Sequence, residues 1–265
     1  MKKARRIGSW LLVIVMLCGM MGCAKEPEPT PEEVYVAAYE KINALTGIDA
    51  EMTMGIAMTA EGETMEAGVE ASLLMEEPNS EKMKMDMEMT MTMDMLGIAM
   101  DIHAYYVDGY YLMETMGQKI KYPMDLEEAM GQSAMMQEVA LDALSEITMT
   151  EEDGMRILTF SVDAKKLMED EMEEYLHNIP LVVNSAGLIY KGFQGVMKVN
   201  EEGYPVEITM QIGYTTWVKN ATWADGAKID CDANIVMVYK DPGQPVTVEI
   251  PDASEYIEVD PEIMP

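Results

Sequence analysis

Residues 83–95, MKMDMEMTMTMDM, set a thioether at every odd position, with Lys84, Asp86, Glu88, Thr90, Thr92 and Asp94 between. Thioethers are soft ligands that can hold Cu(I), so a metal array is the first chemistry this spacing suggests. Copper sites of that kind usually add His or Cys, and the chain offers only His103, His177 and three cysteines. Side chains two apart on a strand also lie roughly 7 Å from each other, so ligation needs donors from neighbouring strands. His177 falls at the end of a predicted helix, where the dipole accounts for it. Met-based Cu(I) binding is therefore the third reading of this stretch, behind two that treat it as an apolar surface.

Other reactive constellations are missing from the sequence. It holds no CxxC, HExxH or GxSxG motif and no Gly-rich phosphate loop. Acidic turns such as TEEDG and WADG have the chemistry of tight turns and do not match a calcium-binding loop. Cys231, on the apolar side of KIDCDANIVMVY, reads as a buried inert thiol. The expectation is a protein that is not an enzyme and uses no cofactor.

The elements that position the methionines follow from periodicity. In a strand, alternate residues point to opposite faces, so Met83, Met85, Met87, Met89, Met91 and Met93 line one stripe roughly 40 Å long with Met95. EMTMGIAMTA and TMEAGVEASLLM alternate in the same way, adding Met52, Met54, Met58, Met65 and Met75 to that face. With LGIAMDIHAYYV and YYLMETMGQKIKY, these predict a five-stranded antiparallel meander. A hairpin around Glu152-Asp153-Gly154 and three closing strands bring the total to about ten. Helices are expected at 30–46, where Thr30, Pro31 and Glu33 form a start signal, and at about 126–144 and 164–178. The fold class is α+β: a strongly curved antiparallel sheet, or half-open β-barrel, with about three helices on its concave side.

The chain uses 31 Met and only two Phe. Met is flexible and specifies a core poorly, yet it suits surfaces that repack around varied apolar partners. The expected site is thus a Met-lined cavity for an apolar ligand, with Met52, Met54, Met58, Met83, Met85, Met87, Met89, Met91 and Met93 as contacts. The alternative is a structural or sensor lipoprotein whose cavity is plugged by its helices.

The N-terminus places that domain outside the cell. Lys2, Lys3, Arg5 and Arg6 precede an apolar stretch too short for a comfortable span, which ends in Gly22-Cys23. That is the arrangement of a bacterial lipobox, with residues 1–22 as signal peptide and Cys23 as the lipidated residue. Residues 23–31 read as the lipidated cysteine and a Pro/Glu tether, 32–250 as the domain, and 251–265 as an irregular acidic tail. Loss of the leader's four basic residues takes the net charge from −30 to −34, a field that repels nucleic acid. The expected partners are a lipid-like ligand and, through the anchor at Cys23, a membrane; the expected state is a monomer.

The order of signal, lipobox, helix, one-sided meander, helices, hairpin and closing strands resembles the LolA-like superfamily. That superfamily includes the mycobacterial LppX/LprG lipoproteins and a Gram-positive branch. YYVDGYYLMETMGQKIKYPMDL and NEEGYPVEITMQ are similar to segments of that branch. The similarity spans about residues 30–250. It implies a half-open barrel carrying acyl chains on the extracytoplasmic face of a bacterial, Gram-positive cell membrane, with no catalytic residues to carry over.

Overall fold

A computed structural model of the chain describes residues 28–93, 97–126, 128–129, 139, 141–163, 166, 185–218 and 227–260. The chain divides into two units, Met1–Thr30 and Pro31–Pro265. All three apolar clusters lie inside the second, so residues from Pro31 onward carry their own core.

Helix α1 (Pro31–Asn43) opens that unit with proline at its first position, where the missing N–H costs nothing. Its buried face is Val34, Tyr35, Ala38 and Tyr39. The Tyr35 ring meets Phe160 edge-on at 5.4 Å, and its hydroxyl donates to the Val139 carbonyl at 2.9 Å. Sequence periodicity points to Val34, Ala38, Ile42 and Leu45; the two tyrosines widen that stripe.

Twelve strands form one open, curved sheet, antiparallel except at one edge, to which a half-open barrel corresponds. Strands β1 (Gly47–Ala60), β2 (Glu63–Glu76), β3 (Lys84–Met93), β4 (Ile98–Val107), β5 (Tyr110–Thr115) and β6 (Gln118–Pro123) form one meander. Strands β7 (Leu144–Glu152), β8 (Met155–Val162), β9 (Ser185–Val199), β10 (Pro205–Val218) and β11 (Ala227–Tyr239) form a second. The two meet where β1 pairs with β11, from Ala50 opposite Tyr239 to Thr59 opposite Asp230.

The count corrects the expected ten strands. YYLMETMGQKIKY is a hairpin and not one strand: Met116 and Gly117 both take positive φ, 48° and 76°, and fold β6 back on β5. Methionine at the first turn position gives no turn signal, which hides the break. The other added strand, β12 (Ile257–Glu258), pairs in parallel with β6. The segment read as an irregular tail thus includes a short 3₁₀ turn at Ala253–Glu255 and an edge strand, anchored by buried Tyr256. The expected helix at 164–178 lies almost wholly outside the described residues, as does most of that at 126–144. Of the latter, Leu126, Glu128 and Ala129 are helical, and its last residues form a 3₁₀ turn at Leu141–Ala143 and the start of β7.

Candidate functional site

Register makes the apolar positions one continuous face. One row runs Met149, Leu158, Met197, Ile208, Met237, Met52, Ala71, Met89 and Ile102 across β7 to β4, each directly opposite the next. Side chains of directly opposed residues share a face, so the face expected from alternation exists and crosses the seam between the meanders. Around Gly195 the sheet also holds an aromatic lid: a Cβ there would overlap the Phe160 ring, so only glycine lets Phe160 lie flat on the strand.

The methionines on this face have unequal surroundings. Met83, Met85 and Met87 are 1%, 0% and 5% exposed and pack with Met75, Ala104, Tyr106, Tyr111, Met124 and Ala129. Met52 and Met54 are buried in the main core. Met58, Met89, Met91 and Met93 are half-buried. Two further half-buried methionines share their end of the sheet, Met65 opposite Met58 and Met100 opposite Met91. Ile98, opposite Met93, is 50% exposed. Met58, Met89 and Met91 pack against the edge of the main core, and with Met93, Met65, Met100 and Ile98 they form an apolar margin across β1 to β4.

Space follows the same division. A void bounded by Ala50, Met52, Ala71, Leu73, Met87 and Met237 measures about 10 Å³, room for no more than about one water. The larger concavities among the described residues lie on the polar face. One of about 1080 Å³ presents Glu51, Glu70, Glu88, Asp101, Glu114 and His103. The His103 Nε2 lies 2.7 Å from Asp86 Oδ1, and its ring stacks on Tyr105. Burial, then the charges of Asp86, Glu114 and Glu88, push the Tyr105 hydroxyl up to about 12. A second concavity of about 660 Å³ lies over Gly55, Gly192 and Gly213, between Gln194, Gln211 and Asn234. The first is lined mainly by polar groups, and the second mixes glycines and alanines with the charged Glu66, Lys191 and Asp232.

Metal chemistry finds its best geometry where sequence reasoning could not look. Register sets Met65, Met58 and Cys231 in one row, two thioethers and a thiol. Cys231 is buried, burial raises its thiol pKa, and Tyr214 hydrogen-bonds to it. Among the described residues, no group of three or more His, Cys, Asp or Glu is placed to hold a metal. Cys23 lies outside the described residues.

No protein-family model and no curated protein matches the chain. Among solved structures, it is similar to the Mycobacterium tuberculosis lipoprotein LppX, with 9% identity and a TM-score of 0.43, covering 83% of this chain and 98% of that one. It is similar as well to LprF from Mycobacterium bovis, with 11% identity and a TM-score of 0.42, covering 85% and 98%. Likeness of this degree assigns no ligand.

Proposed function

We propose that the chain is an envelope lipoprotein, anchored through Cys23, whose sheet binds an acyl-chain ligand at the half-buried end of its inner face. One observation carries the reading: the rows Met54–Val69–Met91–Met100 and Ile56–Ala67–Met93–Ile98 pass from buried on β1 to half-buried or exposed on β3 and β4. Soluble domains seldom leave such a contiguous apolar margin without a use. On this reading Met58, Met89, Met91 and Met93 contact ligand, while Met83, Met85 and Met87 build the wall behind them. A second reading, a surface lipoprotein with a plugged face, draws support from the tight packing of Met83 to Met87.

Native mass spectrometry of the chain from Ala24 onward separates the two. Co-purified lipid adducts are expected, and they should disappear in a Met91→Glu variant that stays folded, because burying a carboxylate against acyl chains costs several kcal/mol. A parent free of adducts after expression in a lipid-replete cell favours the plugged form. The anchor has its own test: Cys23→Ser should release the protein from the membrane fraction or leave it unprocessed, and normal processing with unchanged retention refutes it.

A further inference from the structure

The inner-facing positions of the central strands are almost wholly apolar. From Ala50 to Met58, Met65 to Met75, Met85 to Met93, Ile208 to Thr216 and Ile229 to Tyr239, none is charged. Apart from two tyrosines, the one hydroxyl among them is Thr216. It follows Tyr214 on β10, opposite Ile229, one row beyond Met65, Met58 and Cys231. Thr216 is 8% exposed, and its Oγ1 is buried without a hydrogen-bond partner among the described residues. Its neighbour Thr215, on the opposite face, donates to Asp230 Oδ1 at 2.6 Å. A buried hydroxyl left unbonded has lost its water without compensation, so such groups call for a partner.

Position and chemistry together describe that partner. Strand and residue spacing put Thr216 about 12 Å from Met58, within the length of one acyl chain lying across the margin. The partner must present a hydrogen-bond acceptor at the end of an apolar chain. It must also be uncharged there, because among the described residues no cation stands on the surrounding inner-facing positions to pair with an ionised head. We propose that Thr216 is the polar anchor of the ligand site, donating to the carbonyl of a neutral acyl ester or amide. The inference rests on the acyl-ligand reading and narrows it: the ligand is an esterified or amidated lipid, not a free fatty acid or a bare hydrocarbon.

The test is displacement of an apolar naphthylamine dye from the chain beginning at Ala24, by monooleoylglycerol, oleate at pH 8, or hexadecene. Monooleoylglycerol should displace the dye at about tenfold lower concentration than oleate, the scale of one uncompensated polar group. Thr216→Val keeps the shape and removes the hydroxyl. It should weaken monooleoylglycerol about fivefold to tenfold, leave hexadecene unchanged, and raise the melting temperature of the ligand-free protein by about 2–4 °C. Equal effects on all three competitors, no effect on any, or a lowered melting temperature would overturn the role of Thr216 and leave the acyl reading standing. Failure of the dye and every competitor to bind would overturn the acyl reading, and this inference with it.

Discussion

The two ends of the methionine stripe on β3 have the same composition and opposite surroundings. Met83, Met85 and Met87 are locked among Tyr106, Tyr111, Met124 and Ala129, while Met89, Met91 and Met93 stand half-buried. The strand alternates identically throughout, so local sequence does not make the difference. What differs is the material laid across the face: the Met124–Ala129 segment closes one end, and α1 covers the β7–β10 side. Among the described residues, nothing comparable closes the β3–β4 end. Methionine serves both ends because its unbranched chain fills irregular space where packing is complete and adapts where it is not.

Charge substitution should split the two ends most widely. Met85→Glu puts a carboxylate into a fully buried site whose described neighbours are apolar, and should unfold the domain or lower its stability by about 3–5 kcal/mol. Met91→Glu, where the side chain can reach water, should cost about 1 kcal/mol or less. Urea denaturation of the two variants, followed by circular dichroism, measures the contrast. Equal losses would mean that the stripe is uniform core and that the open end is only apparent.

How much of this was legible in the sequence depends on which interaction decides each feature. Alternation is a property of single strands, so the apolar face, Cys231 on it, and the Asp153-Gly154 turn could all be read directly. The pairing of β1 with β11 joins residues from 189 positions apart (Ala50 and Tyr239) down to 171 (Thr59 and Asp230), and no local signal encodes it. The row of Met65, Met58 and Cys231 and the isolation of Thr216 both depend on that long-range register, so neither was visible beforehand. The turn at Met116-Gly117 lacked the Asn or Asp that marks such turns. Burial, which separates Met85 from Met91, depends on other elements and leaves no mark in the stripe itself.

The packed end also has an electrostatic clasp, which sharpens the comparison at smaller amplitude. Glu76, opposite Lys84 at the start of the stripe, accepts from the Val248 N–H at 3.2 Å and pairs with Lys84 at 3.1 Å. The Val248 bond first, then Lys84, hold its carboxyl below its ordinary value of 4.5. A carboxylate whose folded pKa is depressed stabilises fully above its unfolded value and loses that contribution as pH falls through the folded one. Glu76→Gln should therefore melt below the parent at pH 7, and the gap should close as pH drops below about 4. Hydrogen exchange should place the loosening at β2 and β3 near Met75 and Met85, not near Met91. A gap constant from pH 7 to 3 would assign the clasp to shape instead of charge.

The smallest effect is expected from copper. The open end is where two thioethers and a thiol fall in one row, so a soft metal would choose Met65, Met58 and Cys231 over the seven evenly spaced methionines that first suggest it. Metal binding needs the thiolate, however, and burial pushes the Cys231 thiol above its ordinary value, outweighing the hydrogen bond from Tyr214 that pulls it down. Titrating Cu(I) against the chain from Ala24, in competition with bicinchoninate under reducing conditions, should show no stoichiometric transfer to the protein. Transfer of one equivalent, abolished by Met58→Leu with Met65→Leu, would reverse this. Leucine preserves the apolar margin and removes only sulfur, so loss of copper with lipid binding retained would mean that the open end evolved around a metal and that its adaptability to acyl chains is incidental.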